Sequence, residues 1–252
     1  MKVRLDKLIV ERGLAASRER AQALILAARV LVNEQKVTKP GQSVEEAVEL
    51  RLLGDDLRYV SRGGLKLEGA LRHWQIDLTS KFCLDVGAST GGFTDCMLQH
   101  GAARVLAVDT GYGQIAERLR REERVSLMER TNARTLHPGD LPPGIEFISM
   151  DVSFISATLV LPPVIAAVRG AAQSGALLEG VILVKPQFEV GRERVGKGGI
   201  VRDPEAQRFA VNRVRETVEA IGGDVLEVIE SPITGAEGNR EFLMHARWKQ
   251  GQ

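Results

Sequence analysis

Residues 81–95, Lys-Phe-Cys-Leu-Asp-Val-Gly-Ala-Ser-Thr-Gly-Gly-Phe-Thr-Asp, constrain this chain more than any other stretch. Phe82 to Val86 is a short apolar strand, a glycine-rich turn follows, and a helix starts near Gly92. Open α/β sheets built from such units bind ligands at the carboxyl ends of their strands. The helix start offers unpaired backbone N–H groups and the positive end of a dipole. Gly87, Gly91 and Gly92 permit a sharp turn and close approach of backbone to a ligand, with Ala88, Ser89 and Phe93 between and beside them.

A dinucleotide site calls for G-x-G-x-x-G. This turn is G-A-S-T-G-G-F, and Asp85 would set a carboxylate inside it. A pyrophosphate would be repelled there, whereas a ligand with an ammonium or sulfonium would be welcome. S-adenosylmethionine has both and no phosphate; NAD is the minor alternative, and a turn with no ligand is the bland one.

From residue 81 onward strands alternate with helices, which predicts a parallel sheet covered on both faces. Strands are expected at 82–87, 104–109, 125–130, 145–151, 180–185, 224–230 and 241–248, and helices near 92–100, 114–121, 162–173 and 204–221. Only a turn separates the last two strands, so they are expected to pair antiparallel. Asp109 ends the second strand, where a carboxylate can accept both hydroxyls of a ribose. Asn132 and Ala133 follow the third, where an adenine edge would lie; an asparagine side chain can both donate to and accept from a base.

Residues 1–58 form a different unit, with residues 59–80 as linker and leading helix and 81–252 as the larger domain. Leu5, Leu8 and Ile9 mark a first helix stopped at Gly13; Ser17 is a good N-cap for a second, Arg18 to Ala28. Short strands are expected at Val30–Asn33, Lys36–Val37 and Val48–Leu53. The chain as a whole carries a net charge of only +1, but residues 1–40 hold nine basic and four acidic residues, an excess of five positive charges. A small basic module is an electrostatic footprint for a nucleic-acid backbone. In the linker, Ser61 can cap a helix from Leu65 to Trp74, beside Arg62, Gly63 and Gly64. Residues 188–203, with Gly191, Gly196, Gly198, Gly199, Arg192, Arg194, Lys197 and Arg202, are expected to be a mobile lid gripping RNA phosphates.

Cys83 and Cys96 fall in the strand and helix of the opening unit, as small buried hydrophobes rather than a disulfide. Four scattered histidines give no metal cluster, so no metal is expected. The charged N-terminus and the lack of a long apolar run predict a soluble, cytoplasmic protein with no membrane partner.

Four charged residues stand at the ends of elements facing the expected cleft: Lys66 in the leading helix, Asp151 and Lys185 ending the fourth and fifth strands, and Glu241 opening the last. Each alone is an ordinary solvated strand end. Four of alternating sign around one crevice point to a reacting centre.

Arg4-Leu5-Asp6, Ser17-Arg18, Ala21, Leu24-Ile25 and Val30-x-Val32-Asn33 resemble the small RNA-binding domain named after a small-subunit ribosomal protein; Arg29 and Glu34 stand where such domains usually carry glycine. Ser61-Arg62-Gly63-Gly64-x-Lys66-Leu67, Asp85 to Asp95, Asp151 to Ser156, Val184 to Glu189 and Gly238-Asn239-x-Glu241 resemble the TlyA (hemolysin A) family of rRNA ribose 2′-O-methyltransferases, whose catalytic domain is FtsJ-like. The resemblance spans nearly residues 1–248. It implies a Rossmann-like seven-stranded α/β methyltransferase sheet behind a small α+β RNA-binding domain, with S-adenosylmethionine as cofactor and rRNA or a ribosomal subunit as partner. It implies Lys66, Asp151, Lys185 and Glu241 as the catalytic set. A ribose hydroxyl must be oriented and deprotonated as it attacks a sulfonium methyl, and a lysine made neutral by burial or a second cation can serve as base. Lys185 is the choice for that base, Lys66 the second cation, and Asp151 and Glu241 the groups that orient the amines, though either lysine could take the proton. Arg4, Lys7, Arg18, Arg20 and Arg62, with Arg192, Arg194 and Lys197 of the lid, are the expected RNA contacts. A membrane-active hemolysin, a non-catalytic RNA-binding or ribosome-assembly factor, and a base methyltransferase are the rival readings.

Overall fold

The computed structural model describes residues 2–15, 17–53, 58–171, 177–235 and 238–249. Two compact units divide at Arg58 and Tyr59.

The first unit runs β1 (Lys2–Arg4), α1 (Leu5–Glu11), α2 (Arg18–Leu26), β2 (Val30–Val32), β3 (Gln35–Val37), β4 (Ser43–Glu45) and β5 (Leu50–Leu52). Ser17 caps α2, its hydroxyl accepting from the Arg20 N–H at 3.2 Å. Leu5, Leu8 and Ile9 of α1 pack on Ala21, Leu24 and Ile25 of α2 and on Val30. β3, β2 and β5 form one small sheet; β1 pairs with β4, strands outside the expected set. Asn33 and Glu34 link β2 to β3 with φ of +50° and +62°, the two-positive pattern of a tight hairpin turn. Glu34 therefore occupies a glycine-favouring conformation, and an ion pair with Arg51 holds it there. The left-handed residue that ends α2 is Ala28 (φ +53°), not Arg29.

The second unit runs α3 (Gly63–Trp74), β6 (Phe82–Val86), α4 (Gly92–Gln99), β7 (Arg104–Val108), α5 (Glu117–Arg120), β8 (Val125–Met128), β9 (Phe147–Met150), α6 (Ala157–Ala171), β10 (Leu177–Val184), α7 (Pro186–Glu189), α8 (Pro204–Ala220), β11 (Gly223–Glu230) and β12 (Phe242–Lys249). Seven strands form one sheet in the order β11-β12-β10-β9-β6-β7-β8. β6 to β10 are parallel, and β12 runs antiparallel to both β10 and β11. The order reverses between β6 and β9, the switch point where an open α/β sheet leaves a crevice.

Strand period decides what each face holds. Phe82, Leu84 and Val86 of β6 join the core under α6 and α8; Cys83 joins the core under α3 and α4. Cys83 and Cys96 are buried and free.

Two elements differ from expectation. α6 begins at Ala157, before Pro162 and Pro163, because its first turn is satisfied from outside the helix by Glu189. α5 shrinks to four residues. Residues 172 and 173 of the expected third helix lie outside the described residues.

Candidate active site

The turn after β6 is held by glycine geometry. Gly87 has φ +85°, and a Cβ there would lie 2.5 Å from the Asp151 carbonyl oxygen. The Asp151 N–H donates to the Val86 carbonyl (2.9 Å), so the ends of β6 and β9 are joined under the crevice. A cavity of about 540 Å³ opens at this switch point. Gly87, Ser89, Asp109, Asn132, Ala133 and Asp151 line it, with Ser153, Phe154 and Arg134 among the residues added by the structure. Asp109 accepts from the Ser89 N–H and the Gly111 N–H, both at 2.7 Å, which fixes its carboxylate at the rim. Asn132 Oδ1 accepts from the Arg134 N–H, leaving the amide nitrogen free of that bond.

Asp85 stands elsewhere than expected. It lies on the same strand face as Cys83, beneath α4, and is fully buried. Thr94 Oγ1 and Ser149 Oγ donate to its two oxygens at 2.6 and 3.1 Å. Burial pushes the carboxyl up to about 7. Asp85 therefore acts on the cavity through the turn rather than from within it. Ala88, Gly91, Gly92 and Phe93 do not line the cavity either. A Cβ on Gly92 would meet Ser61 Oγ at 2.3 Å, so that glycine serves the packing of α4 against the start of α3. The residue capping α3 is Arg62, without a side-chain bond, instead of Ser61.

The four charged residues form two ion pairs. Lys66 Nζ of α3 lies 2.6 Å from Glu241 Oε2, and Lys185 Nζ lies 2.5 Å from Asp151 Oδ1. Lys185 also donates to Ser153 Oγ at 2.7 Å. Lys66, Lys185 and Glu241 are buried. Val184 pairs with Phe242 across β10 and β12, which sets Lys185 and Glu241 at the same end of neighbouring strands. Asp151 and Ser153, which hold the Lys185 ammonium, are also cavity walls, so this pair borders the cavity directly. Gly235 leaves room for Glu241, since a Cβ there would lie 2.6 Å from its Oε1.

The segment expected as a lid is tied down. Asn239 donates to the Gly199 carbonyl and accepts from the Val201 N–H, both at 2.9 Å, and Gln207 donates to the Val201 carbonyl at 2.8 Å. Val190 and Val201 are buried. Arg192, Arg194 and Lys197 are exposed on it, with Arg194 lying 4.7 Å over the Phe209 ring. Arg62 is exposed near the start of α3. In the first unit Lys7 is exposed and Arg20 half-buried, while Arg4 and Arg18 converge on the buried Asp6. Ser153, Phe154, Ser156 and Glu189 carry no assigned role in the sequence analysis, although all four lie in motifs it singled out.

Among the described residues no group of three His, Cys, Asp or Glu could hold a metal ion. Among them, too, no helix is long and apolar enough to cross a membrane.

Comparison with known proteins agrees with this architecture. Residues 59–248 match the model of the FtsJ-like methyltransferases, and residues 3–50 that of the S4 domain. YqxC of Bacillus subtilis, a candidate rRNA methyltransferase, is 49% identical over 98% of this chain and 86% of its own length. The 16S/23S rRNA (cytidine-2′-O)-methyltransferase TlyA of Mycobacterium tuberculosis is 42% identical over 98% of this chain and 90% of its own. A solved structure of a candidate hemolysin from Streptococcus thermophilus is 41% identical, covers 99% of this chain and 90% of its own, and superposes with a TM-score of 0.74. With both domain models matched and full-length relatives at this identity, the chain belongs to the TlyA/hemolysin A family of FtsJ-like methyltransferases that carry an S4 domain.

Proposed function

We propose that this chain transfers a methyl group from S-adenosylmethionine to a ribose 2′-hydroxyl of ribosomal RNA. The observation that carries the reading is the pair of lysine–carboxylate contacts, Lys185–Asp151 and Lys66–Glu241, the first of which borders a cavity of about 540 Å³ through Asp151. That volume lies within the usual range for small-molecule sites. The residues present fit the cofactor. Asp109 offers a carboxylate to its ribose, Asn132 an amide to its adenine, and the Gly87 turn a backbone without a side chain in the way. When bound, S-adenosylmethionine supplies a methyl group activated by its sulfonium.

The chain's own residues then do three things. Lys185, as the neutral amine left once its ammonium has given up a proton, accepts the proton of the attacking hydroxyl while Asp151 and Ser153 aim its nitrogen. Lys66, held by Glu241, keeps a positive charge near the developing oxyanion. The S4 domain and the exposed Arg62, Arg192, Arg194 and Lys197 contact phosphates and present the nucleotide. Work on ribosomal RNA would place the protein in the cytoplasm.

The test is nucleoside mass spectrometry of rRNA from cells lacking the protein, after incubation with the purified chain and S-adenosylmethionine. The expected product is a 2′-O-methylated nucleoside. A methyl group found on a base, or none at all, would overturn the reading.

A further inference from the structure

Glu189 is nearly inaccessible, at 1% exposure, and takes no part in either ion pair. It ends α7, the single turn that begins directly after Lys185. Pro186 fixes the first backbone angle of that turn, and the Phe188 N–H donates to the Lys185 carbonyl at 3.0 Å. Lys185 and Glu189 are thus two ends of one stiff segment. The Glu189 carboxylate reaches the chain that follows β9: Oε2 accepts from the Ser156 hydroxyl at 2.5 Å, and Oε1 from the Ala157 N–H at 2.7 Å. That chain starts at Asp151 and passes through Ser153 and Phe154, the latter at φ +63°.

A ring closes here. The Lys185–Asp151 contact joins the two segments at one side, and the Glu189 bonds to Ser156 and Ala157 join them at the other. Glu189 shares the capping of α6 with Ser156, whose Oγ accepts from the Thr158 N–H at 3.2 Å. Among the described residues no cation forms an ion pair with the carboxylate; the Arg213 guanidinium donates to the Glu189 carbonyl instead. Burial pushes the Glu189 carboxyl up, and the Ser156 and Ala157 hydrogen bonds, the nearby Arg213 charge and the positive end of the fifteen-residue α6 act against that rise. Hydrogen bonds to an ionised acceptor are shorter and stronger than neutral ones, so the charge stiffens the join.

We propose that Glu189 is a positioning residue for methyl transfer, latching the segment after β9 to the segment after β10 and so fixing Lys185 against Asp151 and Ser153. This rests on the function proposed above.

The experiment measures kcat and KM for RNA, donor affinity by calorimetry, and amide exchange across residues 151–158 in the full chain. The variants are Glu189→Ala, Glu189→Gln, Ser156→Ala and the double Glu189→Ala/Ser156→Ala. Misplacing a reacting group by about 1 Å can cost ~10²-fold. The expected result for Glu189→Ala is a kcat reduced about ten-fold or more, with KM and donor affinity within about two-fold. Exchange across 151–158 accelerates, Glu189→Gln recovers part of kcat, and the double variant falls no further than the worse single one. If Glu189→Ala does not fold, Glu189→Gln carries the same comparison and is expected to lose kcat alone. Wild-type kcat in a folded variant, a loss confined to KM or donor affinity, or additive effects would each overturn the latch while leaving the proposed function standing. An unaltered chain that methylates no ribose would remove both.

Discussion

The Lys185 ammonium lies 2.5 Å from Asp151 Oδ1 and donates to the Ser153 hydroxyl, which fixes it from two directions at the cavity wall. A positioned general base contributes about 10²–10⁴-fold. Lys185→Ala is therefore expected to lose turnover by roughly that factor while binding S-adenosylmethionine with affinity close to that of the unaltered chain. Single-turnover methylation and calorimetry on the same preparation check both halves. Methylation at the unaltered rate would refute the role.

Asp85 yields a pH dependence. Burial raises its carboxyl from 3.8 to about 7, with Asp151 as a further charge acting the same way. The folded chain then holds a proton that the unfolded chain has lost, so stability from this group is complete below about pH 4 and disappears as pH rises towards 7. Asp85→Asn keeps the neutral form at every pH. Thermal unfolding from pH 4 to 8 is expected to show the unaltered chain losing ground to Asp85→Asn. Across the same window a cationic donor binds more tightly as pH rises, and the variant flattens that slope. The opposite sign in either curve would contradict the assignment.

Gly92 gives a packing prediction. A Cβ at this position would sit 2.3 Å from Ser61 Oγ and 3.0 Å from the Gly64 nitrogen, so α4 and the start of α3 must part. Overpacking of this kind costs about 1–3 kcal/mol. Gly92→Ala should lower the melting temperature, and it should lower kcat as well because α3 carries Lys66. A variant with full activity at a reduced melting temperature would separate the glycine from the position of Lys66.

In the first unit, Arg4, Arg18 and Gln22 all donate to the buried Asp6. Arg4, first among these, holds the Asp6 carboxyl well below the usual range. The stability it lends is in place above the ordinary carboxylate range and is lost as pH falls through the lowered value. With the acid removed, both guanidiniums lose their fixed directions. Asp6→Asn in the full chain is expected to weaken RNA binding and to reduce the slope of log affinity against log salt by about one to two. An unchanged slope would show that neither arginine meets a phosphate.

The opening strand–turn–helix was legible because β6 is apolar and its turn is glycine-rich, and both signals are local. The direction of Asp85 was missed: two-residue alternation from Cys83 sends it under α4, but the glycines beside it suggested a ligand and set it inside the turn. Lys66, Asp151, Lys185 and Glu241 could be picked out because they end or begin elements around one crevice. What pairs Lys66 with Glu241 is the place of β12 in the sheet, and what pairs Lys185 with Asp151 is the neighbouring of β10 and β9; no local pattern carries either. The supposed lid was misjudged for the same reason. Its glycines and basic residues look unanchored until the amide of Asn239, 40 positions away, reaches Gly199. Glu189 gave no sign of burial, since the helix start that accepts it was placed at Pro162.

β12 lies between β10 and β11 although it follows both in the sequence. While a ribosome is still translating residues before 242, β10 has an open edge and Lys66 has no carboxylate to meet. The reacting centre is therefore the final thing this unit assembles. A polypeptide still tethered to the kind of particle it is proposed to modify carries no working centre, and competence to react arrives only with the strand that completes the sheet.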